Sequence, residues 1–170
     1  MLDEIILTET PPLYQGYSRV GQQQRVWITG GHAKCVLHGA LNIGSGDVVL
    51  ASRAVWTQET HQAFLQIIRS HWRGWHIVLF EDRGSPHTAT ASLALAADLQ
   101  ITLRFLPRAT PELNAMDHLW RQTKPSALAN RSTVTIENSI VQLCEQILAL
   151  SPRERLKKAG VLSGHFWLAP

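Results

Sequence analysis

The clearest hydrophobic pattern in the chain is an apolar run at residues 76–80, which shows no polar alternation. Such a run predicts a strand that is covered on both faces, lies centrally and pairs in parallel with a neighbour. An alanine-rich helix is predicted at residues 86–98, with Ser85 as its cap, and another strand at residues 101–106. This strand, helix, strand order predicts a right-handed crossover unit.

Three further helices are predicted, at residues 111–128, at residues 135–150 and between Ser151 and Gly160. Thr110 is the expected cap of the first, and Pro111 suits its first position, where no N–H is needed. The third begins with a capping box, Ser-Pro-Arg-Glu at residues 151–154. The apolar tail at residues 165–168 is expected to dock on the body of the domain.

The N-terminal part of the chain predicts mainly strands. The expected elements are a strand at residues 1–9, a loop at 11–24, a short strand at 25–29, strands at 34–43 and 48–51, and a helix at 57–72. Gly-Ser-Gly-Asp at residues 44–47 is a hairpin signal. The whole pattern predicts an α/β fold of residues 1–170 as one domain, whose mixed sheet has three antiparallel strands, then two parallel strands, flanked by helices.

Composition adds limits rather than a function. The 170 residues suffice for one domain with a core, and the net charge of +3 excludes a polycationic arm. The absence of a long apolar run and of a signal segment predicts a soluble cytoplasmic protein. Most of the six tryptophans are expected in the core. Cys35 and Cys144 lack metal-ligand spacing and are expected to be buried free thiols.

Three acidic residues stand where a sheet of this order would gather them: Asp3, Asp82 and Asp117. The first and fourth strands end side by side, and the helix that carries Asp117 leans over the same edge. Carboxylate oxygens suit Mg²⁺, and two such ions about 4 Å apart can support phosphodiester chemistry. Without metal the crowded carboxylates would repel one another, so their pKa values should rise.

Each acid also has a structural explanation. Asp3 could belong to a solvated terminus, Asp82 could be a turn residue before a glycine, and Asp117 could lie on a helix surface. The neighbouring acids could take over a role in the site; they are Glu4, Glu81 and Glu112. Strand alternation points Glu81 and Asp82 to opposite faces, so only one of them can line the site.

Three motifs resemble those of a known family. Residues 106–120, Leu-Pro-Arg-Ala-Thr-Pro-Glu-Leu-Asn-Ala-Met-Asp-His-Leu-Trp, resemble the signature Leu-Pro-Pro-(Tyr)-Ser-Pro-Glu-Leu-Asn-Pro-Ile-Glu-x-x-Trp of mariner-like bacterial insertion-sequence transposases. Residues 80–87, Phe-Glu-Asp-Arg-Gly-Ser-Pro-His, resemble the second motif, and 34 residues separate Asp82 from Asp117, as is typical of that family. The region after Asp3 resembles the segment that follows the first catalytic aspartate.

The resemblance implies a ribonuclease H-like fold and the C-terminal catalytic domain of a DDE/D superfamily transposase. A metal-activated water would cut one DNA strand at the end of the mobile element, and the freed 3′ hydroxyl would attack target DNA. Asp3, Asp82 and Asp117 match the catalytic acids, which would hold two Mg²⁺ ions, with Mn²⁺ as a substitute.

Other implied features concern the surroundings of the acids. His87 matches a residue near the site, where it could support a phosphate or an acid, or merely pack in its helix. Arg121 and Lys124 could contact DNA phosphates, or form a solvated helix face. The expected partners are double-stranded DNA and a second copy of the chain, at the nucleoid of a bacterial cytoplasm.

The sequence departs from the family pattern in three ways. Asp117 replaces the glutamate of the nearest bacterial relatives, and Arg83 replaces an asparagine. The sequence starts two residues before Asp3, so we expect a truncated first strand and no N-terminal helix-turn-helix region. Lost ladder partners would destabilise the sheet.

Two competing functions stay open at this point. One is another ribonuclease H-like nuclease, such as a resolvase, which would cut DNA without joining it. The other is a truncated, catalytically inactive transposase remnant that binds only DNA or a partner.

Overall fold

The antiparallel part of the sheet is built from three strands in sequential order. The computed structural model describes residues 1–23, 25–28, 30–131 and 135–168. Strand β1 (Leu2–Thr8) pairs along its whole length with β2 (Lys34–Leu41), which pairs in turn with β3 (Val48–Arg53). The hairpin between β2 and β3 and the antiparallel order agree with the sequence prediction.

The parallel part of the sheet consists of β4 (Ile77–Glu81) and β5 (Ile101–Phe105). Helix α1 (Gln58–His71) precedes β4 and is capped by Thr57 through a capping box. Strand β4 contacts β1, which brings the two parts of the sheet together. The predicted arrangement of three antiparallel and two parallel strands is confirmed.

Helices cover the sheet. Between β4 and β5 lie α2 (Ser85–Thr88) and α3 (Thr90–Asp98), and the C-terminal part forms α4 (Ala115–Leu128), α5 (Ile136–Ala149) and α6 (Pro152–Lys158). One cluster of buried apolar side chains joins α4 and α5 to the antiparallel strands, and a second joins α1 and α3 to both parts of the sheet. The expected capping box of Ser151 and Glu154 starts α6. The tail docks through Trp167, whose Nε1 donates to the carbonyl of Leu113 at 2.8 Å.

Gly39 allows α4 to lie close against β2. A Cβ atom on this residue would overlap with Cε of Met116 and would lie 2.5 Å from Cζ2 of Trp120. Both side chains project from α4 and are buried. Because Gly39 is paired with Asp3 across the β1–β2 ladder, this close contact sets the distance between α4 and the strand that carries Asp3.

Two sequence predictions about helix starts are wrong. The single helix expected at residues 86–98 is two helices, separated at Ala89, whose backbone is extended, and Ser85 is the first residue of α2 rather than a cap. Thr110 does not cap a helix, since its hydroxyl donates to the carbonyl of Pro107 at 2.8 Å. Pro111–Leu113 forms a single 3-10 turn, and α4 begins only after Asn114, whose side chain accepts from the backbone N–H of Met116.

Three predictions about strands and burial also differ from the structure. Residues 25–28 form no strand, and Thr29 lies outside the described residues. Val78 in β4 is 46% exposed, so this strand is not covered on both faces. Among the tryptophans only Trp120 is fully buried, whereas Trp27 and Trp75 are largely exposed. A prediction of burial from apolar residues alone is therefore too high for these side chains, which are left exposed in the fold.

Candidate metal and nucleic-acid site

The three aspartates named by the sequence line one cavity of about 330 Å³. Asp3 comes from the start of β1, Asp82 follows directly after β4, and Asp117 lies in the first turn of α4. The same cavity is lined by two cationic side chains, Arg83 and Arg108. The cavity therefore combines oxygen ligands for a hard divalent cation with guanidinium groups that suit phosphate.

Asn114 fixes the helix of Asp117 to the strand of Asp3. Its Nδ2 donates to the carbonyl of Leu2 at 2.8 Å, and its Oδ1 accepts from the backbone N–H of Met116 at 3.0 Å. The side chain is buried, so both hydrogen bonds are shielded from water. Asn114 thus joins the residue before Asp3 to the turn that carries Asp117.

Asp3 has the electrostatics expected of a carboxylate that needs a cation. Burial raises its pKa to about 8, and the negative charges of Glu4, Asp117 and Asp82 add to this effect. Asp117 Oδ2 is buried and lies 2.8 Å from Arg121 Nη2, but that contact lacks hydrogen-bond geometry. Among the described residues this oxygen has no hydrogen-bond partner. The three carboxylates, with one buried oxygen that accepts no hydrogen bond, fit a divalent metal ion.

Asp82 is held by a buried histidine. His87 Nδ1 lies 2.7 Å from Asp82 Oδ1, and His87 Nε2 lies 3.1 Å from Glu4 Oε1. The same Glu4 oxygen is 3.1 Å from Nδ1 of His38. A chain of side chains therefore runs from the cavity through His87 to Glu4 in the interior, although Asp82 itself is largely exposed.

The charges in this chain stabilise one another. Burial alone would lower the pKa of His87, but the hydrogen bonds to Asp82 and Glu4 outweigh it and raise the pKa to about 11. Burial alone would raise the pKa of Glu4, but the hydrogen bonds from His38 and His87 lower it to about 2. The hydrogen bond from His87 also lowers the pKa of Asp82. An imidazolium at His87 therefore lies between two carboxylates.

The three neighbouring glutamates fall into different places. Glu4 and Glu81 lie behind the cavity, and burial raises the pKa of Glu81 to about 8. Glu81 is fully buried while Asp82 is exposed, as strand alternation predicted. Glu112 is exposed and is not among the residues that line the cavity.

The two predicted DNA contacts, Arg121 and Lys124, lie on α4 after Asp117. Arg121 is paired with Asp117, and more than half of its side chain is exposed. Lys124 donates from Nζ to the carbonyl of Ile6 at 3.3 Å, and burial lowers its pKa. Both residues line a shallow depression next to the cavity, together with Asp3. Their role in DNA binding stays a prediction.

Sequence reasoning missed several residues that shape the site. In the sequence Arg83 stands out only as a departure from a motif, and Arg108 carries no signal of its own, although each flanks a motif acid or its loop. Asn114 stands in the recognised motif and could have been found as an alternative cap to Thr110. His38 carries no sequence signal, because its partner Glu4 is 34 residues away.

The family profile of the DDE superfamily endonucleases matches residues 1–139. The chain belongs to this family. No curated protein sequence gives a significant match. The matched range includes all three aspartates, the strand that carries Asp3 and the strand that Asp82 follows.

The fold of this DDE family member is similar to that of Mos1 transposase. Superposition on the Mos1 strand transfer complex gives a TM-score of 0.74 at 16% identity, covering 97% of this chain and 51% of that one. A Mos1 mariner paired-end complex with Mg gives 0.73 at 18% identity, with 97% and 52% covered. The catalytic domain of Mos1 mariner transposase gives 0.67 at 15% identity, with 97% and 76% covered. The ribonuclease H-like fold is confirmed.

Two further observations concern the length of the chain and its helices. The chain spans about half the length of the Mos1 chains in those complexes. Among the described residues, the helices are too short or too polar to cross a membrane.

Proposed function

We propose that this chain is the catalytic domain of a transposase, which cuts DNA strands and joins them during DNA transposition with the help of divalent metal ions. The observation that carries the proposal is the cavity shared by Asp3, Asp82 and Asp117, which come from three separate elements. Family membership and the Mos1-like fold support it.

In this proposal the three aspartates hold two Mg²⁺ ions, which Mn²⁺ can replace. Bound metal would activate a water or a 3′ hydroxyl and stabilise the leaving oxygen of the phosphodiester. Asp3 on β1 and Asp117 on α4 line the same cavity, and the hydrogen bond from Asn114 holds these two elements together. His87 is a positioning residue, because its Nδ1 holds Asp82 Oδ1 and sets the direction of the second oxygen.

The basic residues of the site bind the DNA substrate in this proposal. Arg83 and Arg108 line the cavity and bind the phosphate that is attacked, since a guanidinium can pair with two phosphate oxygens at once. Arg121 and Lys124 extend this surface along α4 and contact the flanking DNA backbone. Arg121 also neutralises part of the charge on Asp117 while the site is free of metal.

A homodimer on paired DNA ends is part of the proposal. The segment between β1 and β2 exposes large apolar side chains, among them Tyr17, Val20 and Trp27. Exposed apolar residues on a long connection favour contact with a second copy of the chain. Work at the nucleoid of a bacterial host is also part of the proposal, because the motifs resemble those of bacterial insertion-sequence transposases.

Nicking of supercoiled DNA tests the proposal. The chain should nick plasmid DNA with Mg²⁺ or Mn²⁺, and Asp82→Ala should lower the rate by at least about a thousandfold, since a loss of about 4 kcal/mol of transition-state stabilisation has that effect. Asp98→Asn is the matched control, because Asp98 is an exposed acid at the end of α3. Nicking that persists in Asp82→Ala would refute the site.

Joining distinguishes a transposase from a simple nuclease. A labelled oligonucleotide with a free 3′ hydroxyl should become covalently linked to target DNA in the presence of metal. Cleavage without any joining would indicate a nuclease such as a resolvase. DNA binding without cleavage or joining would indicate an inactive remnant.

A further inference from the structure

A group of nitrogen and oxygen donors lies behind the cavity, and the proposed chemistry gives a role to only one of its members, His87. One donor atom each of Glu4, His61 and His87 lies within 4.8 Å of the other two. His61 comes from α1, Glu4 from β1 and His87 from α2, so three elements converge on this point. We propose that these three side chains form a second metal site, for Zn²⁺ or a similar borderline transition metal.

His61 is the main indication that a ligand binds here. It is fully buried, and neither of its ring nitrogens has a hydrogen-bond partner among the described residues. A buried imidazole without hydrogen-bond partners destabilises the fold. Its ring centroid lies 4.5 Å from that of His87, which places the unpartnered nitrogens beside a second imidazole.

His87 is already oriented as zinc-bound histidines are. Its Nδ1 is 2.7 Å from Asp82 Oδ1, and its Nε2 faces Glu4 Oε1 at 3.1 Å. A carboxylate on one ring nitrogen directs the other nitrogen to the metal. Zn²⁺ would take the place of the proton on His87 Nε2, and Asp82 would then connect the internal ion with the cavity.

The charge and the size of the site suit a dication with tetrahedral preference. Glu81 lies against His61, with 3.6 Å between Oε2 and Nε2, and both of its oxygens are buried and unpartnered in the described structure. With Zn²⁺ bound, Glu81 would ionise beside it, and Glu81 and Glu4 would then supply two negative charges. Bonds of about 2.0–2.1 Å put tetrahedral ligands roughly 3.3 Å apart. Glu4 Oε1 and His87 Nε2 are already 3.1 Å apart, and the donor atom of His61, which lies within 4.8 Å of both, would have to move closer.

Mg²⁺ is disfavoured at this point, because it prefers six oxygen ligands and keeps several waters. Two imidazole nitrogens and a carboxylate in a buried pocket favour Zn²⁺ or Co²⁺ instead. The internal site therefore differs in chemistry from the cavity, whose ligands are carboxylates.

Metal analysis in excess Mg²⁺ tests the proposal. The purified chain is stripped with a chelator, dialysed against Zn²⁺ with Mg²⁺ in large excess, and analysed for bound zinc. We expect one Zn²⁺ per chain in the wild type and in Asp117→Asn. His61→Ala, or His61→Phe to preserve the ring volume, should weaken Zn²⁺ binding by at least about tenfold. Loss of zinc in Asp117→Asn with retention in the His61 variants would overturn the proposal.

Co²⁺ provides a second measurement that needs no variant. Co²⁺ bound by two imidazoles and a carboxylate in tetrahedral geometry absorbs strongly in the visible region, whereas an octahedral oxygen site absorbs weakly. We expect the strong spectrum from the wild-type chain, and we expect added Zn²⁺ to abolish it. A wild-type chain that gives only the weak spectrum, or binds no stoichiometric zinc, contradicts the internal site.

Discussion

The side chain of Asn114 links two elements that each carry a site aspartate: its Nδ2 donates to the carbonyl of Leu2, 112 residues earlier in the chain. The same side chain caps α4 through the N–H of Met116. One residue therefore sets both the start of the helix with Asp117 and its position against the strand with Asp3.

Replacement of Asn114 should affect both stability and activity. Asn114→Ala removes a helix cap and a buried hydrogen bond, so the free energy of unfolding should fall by about 2–3 kcal/mol in chemical denaturation. DNA nicking should fall further than the folded fraction does, because Asp117 is no longer fixed against Asp3. Thr110→Ala is the control and should cost less than about 0.5 kcal/mol. Equal losses of stability in the two variants would instead support the sequence prediction that Thr110 caps the helix.

Gly39 gives a prediction about the distance between α4 and the sheet. In Gly39→Ala the added methyl would overlap with Met116 and Trp120, so α4 must shift or the side chains must adopt poor rotamers. We expect a loss of about 1–3 kcal/mol in the free energy of unfolding and slower nicking. Ser52→Ala, at an exposed position of β3, should change neither. Unaltered stability of Gly39→Ala would show that α4 is not tightly packed at this point.

The raised pKa of Asp3 predicts how stability depends on pH without metal. The folded carboxyl of Asp3 holds its proton up to about pH 8, whereas the unfolded one releases it near 3.8. The contribution of Asp3 to the free energy of unfolding is therefore fully present below about pH 4, and it is lost as the pH rises through about 8. The raised pKa of Glu81 makes stability depend on pH in the same direction. In urea denaturation from pH 4 to 9, the free energy of unfolding of Asp3→Asn should therefore fall less steeply than that of the wild type, although Glu81 still contributes.

Divalent metal provides the complementary measurement. Mg²⁺ binds the ionised carboxylates, so it should raise the unfolding temperature more at pH 8 than at pH 5. Asp98→Asn should behave as the wild type does in both series. A pH profile of Asp3→Asn that coincides with the wild-type profile would rule out this assignment of the pKa.

Glu4 is largely buried, and replacing its carboxylate should cause a large loss of stability. Glu4→Gln leaves the charged His87 without one of its two carboxylate partners in a buried position, which costs about 3–5 kcal/mol for comparable ion pairs. Chemical denaturation at pH 7 measures this directly. The control Glu112→Gln changes an exposed acid and should stay within about 0.5 kcal/mol. Similar stability of both variants would mean that the chain from Asp82 to Glu4 is not ionic.

The sequence by itself determined the framework of this protein. The apolar run before Asp82 predicted β4 and its parallel pairing with β5, and the hairpin signal predicted β2 and β3. These features could be predicted because they depend on local periodicity and turn chemistry. The motif that contains Asp117 also indicated the family without reference to any distant contact.

Only the tertiary structure decided how the surroundings of the acids are built. The sequence predicted Thr110 as the cap of α4, but Asn114 caps it, and the side chain of Asn114 also donates to a carbonyl of β1. Glu4 and His87 are 83 residues apart, and their contact depends on strand register, which a slip by one residue would reverse. Burial then raised or lowered each pKa according to partners that come from other elements.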